Sequence, residues 1–514
     1  MFCGEEMMRK DVTKLFLCVL CFVRCAAQDY FANPSKNLFV DDDQIELKEH
    51  VTRTLHTPVF SAANPVLPPE KPWEGSVILQ PGTVIYDEQE HIFKMWYNSL
   101  ATRSKPDIQE FVCYATSTDG IHWTRPNLGL VEFRGSKDNN IVLKWDSWTL
   151  SVIKDGYASD PSKRYKLAYW NNYDRETKGL WVAFSPDGIH WTQEEHNPVV
   201  PMTASGDTFS VMQDPASHKF WLYHKSVIMP IRKVSRLISD DFVHWKDDEL
   251  VLEPDGGDQP DTEFYGLSPF AYGNQYLGFL WMFHTYSQQL DVQLVSSRDG
   301  QTWNRSVYRR VFLPLGFMKN GYTGHSFDSD MIMSVAPPAL LDGRLFIYYS
   351  GHSAKHNANA IESEPNYQEN SSQVDDTYIG QIALAQLPLD GFVSLDATSE
   401  GKVVTRPVRL RGSVMHVTAS AGVVGTPGKP VNPTWSELFA GSKDGEGEIR
   451  VEVEDTEGRA IPGYSSEECH PIKGSISDKL VSWTGNKDLR ELKGQLVKFK
   501  FILRNAQLFS YSVE

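Results

Sequence analysis

The sequence predicts an all-β protein in which a five-bladed β-propeller is followed by a C-terminal antiparallel β-sandwich. Three observations support this fold class: a hairpin phrase recurs at a nearly regular period, no long helical period interrupts it, and the pattern changes near residue 400. Residues 38–398 are accordingly assigned to the propeller and residues 400–514 to the sandwich.

The recurring phrase is Ser-x-Asp-Gly-x-x-Trp, which is typical of a strand, a tight turn and a returning strand. Asp-Gly supplies the positive φ values of a two-residue hairpin, and the flanking aromatic and β-branched residues suit a pleated surface. Successive Trp residues are 68, 54 and 58 positions apart, slightly more than one four-stranded blade, which indicates a radial repeat. Four copies end at Trp123, Trp191, Trp245 and Trp303, the third with Phe242 in place of the Gly, and a degenerate fifth copy at 384–393 has Phe392 in the aromatic position.

Each blade is predicted to contain the same elements in the same order. A first strand starts near a carboxylate, a turn follows, and an aromatic strand leads into the hairpin phrase. The aromatic strands are expected at 93–97, 165–169, 220–223, 276–283 and 344–349. Upstream, 38–45 is expected to be an edge strand of the propeller domain. The polar stretch 352–376 is either a rim over one face or a solvated insertion.

The C-terminal region has alternating strands without the hairpin phrase, which predicts an antiparallel sandwich. These strands are expected at 438–440, 447–454, 480–483 and 496–503.

The N-terminal residues 1–27 have the composition of a secretory signal peptide. Arg9 and Lys10 precede an apolar core at 15–23, and cleavage is expected after Ala27. The core is too short to cross a bilayer as a helix, so we expect a secreted protein, extracellular or periplasmic, without membrane insertion. The net charge of −16 would repel phosphates and argues against a nucleic-acid partner.

Acidic residues near the starts of the innermost strands are the candidate site. Inner strands run along the central channel, so residues at their starts are expected to converge on one face. Carboxylates gathered there cannot all ionise at their usual pKa, and such a pair suits the cleavage of a glycosidic bond. A turn or strand-start role is the simpler alternative for several of them. The five positions are Glu74, Asp155, Asp207, Glu263 and either Asp328 or Asp330.

Residues 72–396 resemble the five-bladed propeller glycoside hydrolases, the broad group that contains families 43 and 32. The resemblance rests on the five-fold repeat and on the stretches 93–97, 117–123 and 164–167. It implies a carbohydrate substrate and three carboxylates on successive blades, acting as base or nucleophile, acid-tuning group and general acid. Asp155, Asp207 and Glu263 match that order, and an alternative alignment uses Glu74, Asp155 and Asp207. The Asn-Asp-Pro-Asn and Glu-Cys signatures of the invertase branch are absent, which disfavours a fructan substrate.

Further residues are expected to line the pocket, and no cofactor or metal ion is expected.

Two other functions remain open. A non-catalytic carbohydrate-binding propeller would have the same architecture, whereas a sialidase would need an arginine trio and a Tyr nucleophile that the inner strands do not offer. The sandwich either binds sugar or packs on the propeller.

The residues expected to bind substrate in the propeller pocket are Glu74, Trp73, Asp328, His325 and Tyr265, with His284 and His352 as lining or ordinary polar contacts.

Overall fold

The computed structural model describes residues 33–75, 77–78, 82–102, 109–144, 147–171, 176–226, 231–305, 309–316, 326–356, 380–422, 447–474 and 476–514. In these ranges the regular structure is β, apart from short 3-10 turns such as Pro161–Lys163 and Arg490–Leu492. The predicted all-β class is therefore confirmed. No helix in these ranges is long and apolar enough to cross a membrane. The predicted signal peptide and most of the polar stretch 352–376 lie outside the described residues.

Four short strands precede the first blade. They are β1 (Lys36–Leu38), β2 (Ile45–Glu49), β3 (Thr52–Leu55) and β4 (Val59–Phe60). The first three pair with strands from the C-terminal region, whereas β4 pairs with Gly380–Pro388, the third strand of the fifth blade. The expectation that 38–45 forms an edge of the propeller domain is therefore wrong. Its backbone hydrogen bonds are completed by a sheet that the sequence pattern alone does not connect to it.

The first two blades follow the predicted order of elements. In blade 1, two short inner segments both pair with the long second strand. Its strands are β5 (Val77–Ile78), β6 (Thr83–Asp87), β7 (Ile92–Thr102), β8 (Gln109–Ser117) and β9 (Ile141–Lys144). Blade 2 contains β10 (Ser147–Lys154), β11 (Tyr165–Asn171), β12 (Gly179–Ser185), β13 (Thr192–Gln193) and β14 (Val200–Pro201).

Blades 3 to 5 repeat this meander, and β4 supplies the outer strand of blade 5. Blade 3 contains β15 (Phe209–Gln213), β16 (Phe220–Lys225), β17 (Val234–Ser239) and β18 (Trp245–Leu252). Blade 4 contains β19 (Thr262–Tyr272), β20 (Gln275–His284), β21 (Gln289–Ser297), β22 (Trp303–Asn304) and β23 (Val311–Leu313). Blade 5 contains β24 (Met331–Ser334), β25 (Ala339–Leu341), β26 (Arg344–His352) and β27 (Gly380–Pro388).

The five blades close around one axis, which confirms the predicted propeller. A narrow cavity of about 10 Å³, room for about one water molecule, is lined by residues from every blade. Hydroxyl groups join neighbouring inner strands beside it: Thr83 accepts the Val152 N–H at 2.8 Å, and Ser151 accepts the Val211 N–H at 3.2 Å. The channel is therefore filled at this level. The lining residues are Gly82, Leu150, Phe209, Ser210, Ser268, Trp281 and 333–336.

Aromatic side chains on second strands bind the Asp-Gly hairpin of the following blade. Trp96 of blade 1 donates from Nε1 to the Gly188 carbonyl at 2.6 Å. Tyr223 of blade 3 donates to the Gly300 carbonyl at 2.5 Å. Tyr348 of blade 5 donates to the Gly120 carbonyl of blade 1 at 2.8 Å and so closes the ring. The phrase that marks the repeat in the sequence therefore also forms contacts between blades.

Inside each of the four full hairpins, the Ser and Asp of the phrase satisfy the turn backbone. In the second copy, Ser185 accepts the Gly188 N–H at 2.9 Å, and Asp187 Oδ1 accepts the N–H groups of Ile189 and His190 at 2.8 and 2.9 Å. His190 Nδ1 lies 2.7 Å from the other oxygen of Asp187. Burial raises the pKa of Asp187, but these hydrogen bonds outweigh it and lower that pKa to about 2. The hairpin Asp residues are structural, as expected.

The C-terminal sheet wraps around a second core. Its long last strand pairs with β1 and with every other C-terminal strand except β32. The strands are β28 (Val393–Thr405), β29 (Val408–Arg409), β30 (Met415–Ala421), β31 (Glu448–Glu454), β32 (Ser477–Val481) and β33 (Leu496–Val513). The strands predicted at 447–454, 480–483 and 496–503 correspond to β31, β32 and β33, while 438–440 lies outside the described residues.

The degenerate fifth hairpin holds the two domains together. Its Asp390 is fully buried and binds Lys36 Nζ at 2.8 Å and the Tyr272 hydroxyl at 2.7 Å. Thr418 and Ser510 of the C-terminal sheet donate to the same carboxylate at 2.6 and 2.7 Å. A buried carboxylate needs such partners. The fifth copy has therefore kept its Asp but uses it to bind the neighbouring domain.

Replacing Gly188 by Ala should destabilise the propeller more than the same change at Gly135. Both glycines have left-handed backbones, with φ of 80° and 83°. A Cβ on Gly188 would lie 2.6 Å from Trp96 Cζ2, whereas one on Gly135 would meet nothing within 4 Å. We expect Gly135→Ala to cost about 1–2 kcal/mol for the backbone alone, and Gly188→Ala about 1–3 kcal/mol more for overpacking. Equal losses in the free energy of unfolding, measured by urea denaturation, would show that the contact with Trp96 does not contribute to stability.

Replacing Asp187 by Asn should destabilise the chain at neutral pH but not in acid. The folded pKa of Asp187 is about 2, below the ordinary value of 3.8. A lowered folded pKa contributes stability above the ordinary value, and this is lost as the pH falls toward the folded value. The difference in melting temperature between wild type and Asp187→Asn should therefore shrink between about pH 4 and pH 2. A difference that stays constant over this window would contradict the assignment.

Candidate active site

Two of the predicted carboxylates, Asp207 and Glu263, lie on neighbouring blades at the same end of the ring. Asp207 comes two residues before β15, and Glu263 is the second residue of β19. These inner strands lie side by side, with the side chain of Thr208 against Gly266. Because the inner strands run in one direction, both carboxylates lie on the face where these strands begin.

Asp207 is held against the second strand of its own blade. Gly206 packs so closely on the Lys225 carbonyl that a Cβ there would overlap it. Lys225 Nζ lies 2.5 Å from Asp207 Oδ1, and Asp207 remains half-exposed. Burial raises the pKa of Asp207, but the ammonium of Lys225 and hydrogen bonds outweigh it, so the net pKa is lowered. Asp207 is therefore an accessible, ionised carboxylate at neutral pH.

Glu263 is paired with a guanidinium from the neighbouring blade. Arg232, which precedes β17, contacts a Glu263 oxygen through Nη1. The Glu263 side chain is 13% exposed and that of Arg232 is 33% exposed, so the pair faces solvent on one side. The Arg232 carbonyl also accepts the Phe264 N–H at 3.0 Å. The backbone of blade 3 thus fixes Arg232 beside the inner strand of blade 4.

Tyr265 lies between the two ion pairs. The register of β19 against β20 shifts between Phe264 and Gly266, which leaves Tyr265 as the extra residue of a bulge. Bulges redirect side chains and are common beside functional sites. Lys225 Nζ lies 4.7 Å and Arg232 Cζ 5.6 Å from the centre of the Tyr265 ring. Both carboxylates are therefore organised around one aromatic ring.

His356, at the end of the segment after β26, completes the cluster. Its Nε2 lies 2.9 Å from the Tyr265 hydroxyl, and its ring packs 4.7 Å from the Phe283 ring. Burial lowers the pKa of His356 to about 4, assisted by the positive charges of Arg232 and Lys225 and opposed by the two carboxylates. The imidazole is therefore neutral at pH 7.

Asp155 lies at the opposite end of the ring. It follows the last residue of β10 and binds Lys166 Nζ at 2.7 Å and Gln213 Nε2 at 3.1 Å. Gln213 ends β15, roughly 20 Å beyond Asp207 at the usual rise of a strand. The prediction that Asp155 shares a pocket with Asp207 and Glu263 is therefore wrong. Its Oδ1 accepts the Tyr157 N–H at 2.9 Å, so Asp155 is a buried turn residue.

Glu74 and Trp73 are packed inside blade 1. Glu74 is fully buried, pairs with Arg125 Nε at 2.7 Å and accepts the Tyr97 hydroxyl at 2.6 Å. Trp73 donates from Nε1 to Asn140 at 2.8 Å. Neither side chain joins the cluster around Tyr265, because both face the second and third strands of the blade. The expectation that they contact substrate is therefore wrong for this structure.

Asp328 is at the correct end of blade 5 but is turned inward. It is 2% exposed and accepts the Tyr349 hydroxyl at 2.9 Å. Asp330 is half-buried and accepts from Gln289 at 3.3 Å. His325 lies outside the described residues.

Two other histidines noted in the sequence have local partners. His284 pairs with Asp291 at 3.1 Å, and that hydrogen bond raises the pKa of His284. His352 lies 3.2 Å from the Ser350 hydroxyl. Within the described ranges, no three His, Cys, Asp or Glu side chains are grouped so as to hold a metal ion.

Lys225, Arg232 and His356 were missed by the sequence analysis because only inner strands were considered. Lys225 ends β16, whose antiparallel course returns it beside Thr208. Arg232 follows on the connection to β17. In a four-stranded meander, the end of the second strand lies beside the start of the first. A cation at the end of a second strand could therefore have been recognised from the sequence as a neighbour of the carboxylates.

The chain is similar in fold comparisons to several solved sugar-cleaving enzymes. A fructofuranosidase of Schwanniomyces occidentalis complexed with fructosylnystose has 12% identity, covers 89% of this chain and 98% of its own, and has a TM-score of 0.40. A glycosyl hydrolase from Bacteroides ovatus has 14% identity, covers 64% and 94%, and scores 0.42. A GH32 β-fructofuranosidase of Bombyx mori has 10% identity, covers 90% and 94%, and scores 0.39. No protein-family model and no curated protein matches the chain.

Replacing Lys225 by Met should raise the pKa of Asp207. Without the ammonium, burial acts unopposed on a carboxylate whose pKa is now lowered. Carboxyl carbon chemical shifts of Asp207, followed by NMR through a pH titration, should move to a midpoint above the wild-type one. Lys219→Met is the matched control, because Lys219 pairs with Asp240 on an exposed surface. A midpoint unchanged in Lys225→Met would show that Lys225 does not set the charge of Asp207.

Proposed function

We propose that the chain is a glycoside hydrolase in which Glu263 is the general acid and Asp207 is the base or nucleophile. The observation that carries the proposal is the pair of carboxylates from neighbouring blades, both placed around Tyr265 at one end of the ring. Hydrolysis of a glycosidic bond requires two carboxyl groups, one to protonate the leaving oxygen and one to activate water or attack the anomeric carbon.

The environments of the two carboxylates support different roles. Asp207 is half-exposed, and its pKa is lowered because Lys225 and hydrogen bonds outweigh burial, so it is ionised and can accept a proton. Glu263 is more enclosed, at 13% exposure, and its partner Arg232 is the more exposed member of that ion pair. A partner that solvent or ligand can reach can be drawn away from Glu263 when a sugar binds.

The filled axis supports a site that opens at one end only. The cavity between the inner strands is about 10 Å³, far too small for a sugar ring. Substrate therefore reaches Asp207 and Glu263 from the face on which the inner strands begin. Tyr265 is buried between the two ion pairs and holds their cations in place beside the carboxylates.

A non-catalytic carbohydrate-binding propeller is the alternative, and the ion pairs favour it to some extent. Both carboxylates already have cationic partners, which suits residues that bind hydroxyl groups as well as residues that transfer protons. Substitutions that remove the chemistry and keep the shape distinguish the two functions, because a binding protein has no turnover to lose.

Glu263→Gln and Asp207→Asn should each lower turnover by about 10²–10⁴-fold with substrate affinity largely kept. Asp155→Asn is the matched control: it also removes the charge of a carboxylate paired with a lysine, but at the opposite end of the ring, and it should keep turnover within a few-fold. The measurement is product release from a polysaccharide panel, followed by kinetics on the substrate found. Loss of activity in Asp155→Asn but not in Asp207→Asn would overturn the assignment.

A further inference from the structure

The proposed active site contains two cations, although cleavage of a neutral glycoside calls only for carboxyl groups. Lys225 and Arg232 lie on the same Tyr265 ring in a chain whose net charge is −16. The position of Arg232 creates a chemical problem. A general acid must hold a proton before it donates one, whereas a guanidinium contact stabilises the ionised carboxylate. A substrate that left the pair of Arg232 and Glu263 intact would find the proposed acid occupied by its counter-ion.

Arg232 has donors to offer to a second anion. A guanidinium presents five N–H donors in a planar fork, and in the described part of the chain its ion-pair contact with Glu263 uses Nη1. The side chain is 33% exposed. Its plane is held by the rings of Phe283 and Tyr265, whose centres lie 4.8 and 5.6 Å from Cζ. Arg232 can therefore bind Glu263 on one edge and an incoming anion on the other.

At the half-buried His356, the two cations of the cluster outweigh the two carboxylates. At His356, the charges of Arg232 and Lys225 lower the pKa more strongly than Asp207 and Glu263 raise it. The formal charges of the two ion pairs cancel, so this bias at His356 reflects where the charges lie around that ring. An anion entering beside Tyr265 is attracted, and the neutral His356 does not compete with it.

We propose that this site takes a sugar that carries an anionic group, such as the carboxylate of a uronic acid, and that this group binds Arg232 and Lys225. The inference rests on the proposed function and names its substrate class. Once the substrate anion occupies Arg232, Glu263 loses its counter-ion and lies beside a second negative charge. The proton that Glu263 donates in the chemical step is supplied by solvent.

The chemical step that follows is balanced. Glu263 gives its proton to the glycosidic oxygen as the bond from that oxygen to the anomeric carbon breaks. Asp207 accepts a proton from the water whose oxygen bonds to the anomeric carbon. One water is consumed, and a hemiacetal and an alcohol are formed. A neutral sugar with the same linkage would leave Glu263 paired with Arg232 and would react more slowly.

The test compares sugars that differ only in charge. Oligogalacturonate, oligoalginate, chondroitin and glucuronoxylan fragments are each offered as the free acid and as the methyl ester, and binding to Asp207→Asn is measured by calorimetry so that turnover does not interfere. We expect at least one free acid to bind ten-fold or more tightly than its ester. In the double variant with Arg232→Gln this ratio should fall several-fold, with the remainder due to Lys225.

Two further variants control for charge and folding. Lys233→Gln also removes one positive charge near β17, but Lys233 pairs with Glu253 on the surface at 2.6 Å, so the ratio of acid to ester affinity should be unchanged. Arg232→Lys keeps the charge without the fork and should restore part of the preference. Circular dichroism melting of every variant shows whether a lost preference reflects a lost fold.

The outcomes separate this inference from the proposed function. Turnover of neutral glycans or methyl esters as fast as of the free acids overturns the anionic-substrate inference and leaves the hydrolase intact. Binding of a free acid without turnover by the wild type overturns the hydrolase and supports the anion site. Stoichiometric consumption of inorganic phosphate during cleavage of a neutral sugar would show that the anion is a free co-substrate. That result would overturn the inference that the sugar itself carries the anionic group. Equal affinity for acid and ester in Asp207→Asn also overturns the inference.

Discussion

The contact between a second-strand aromatic side chain and the Asp-Gly carbonyl of the next blade is the constraint on which the propeller depends. Trp96, Tyr223 and Tyr348 each make it, and the last of them joins blade 5 to blade 1. Gly is needed there because the backbone is left-handed and the neighbouring ring leaves no room for a Cβ. With the ring fixed in this way, the inner strands must run in one direction, and residues as remote in sequence as Asp207 and Glu263 meet on one face.

Much of this architecture was predictable because its signal is local. The Ser and Asp of the phrase bond to the turn that they belong to, so each hairpin is specified within seven residues, and repetition specifies the ring. Whether a residue lies at the start or at the end of an inner strand is not specified locally in this way. Asp155 and Asp207 both stand beside Gly in the sequence, yet one follows its strand and the other precedes it. Composition does not distinguish those cases, whereas the strand register does.

The other features that the sequence did not predict are contacts between segments far apart in the chain. Lys225 and Arg232 reach the site from a second strand and a connection, and His356 arrives from the far side of blade 5. Likewise, 38–45 was expected at an edge of the propeller domain, because its sequence does not show that β28 and β33 are the partners of β1 to β3. Periodicity within a segment reveals what a strand is, not which strand lies beside it. Glu74 illustrates the converse: it follows the inner-strand rule in sequence but is buried with Arg125.

The pairing of β1 to β3 with β28 and β33 also decides when the protein can fold. During synthesis, these first strands leave the ribosome without any partner, and the blades are made next. The outer strand β4 waits for β27, and β1 waits for the last residues of β33. β1 can therefore pair only after β33 has been synthesised, and until then the early strands present unpaired edges. Contacts between segments so distant in sequence form slowly, because closing the long loop between them costs entropy. A chaperone that binds extended segments would therefore find a substrate in these early strands.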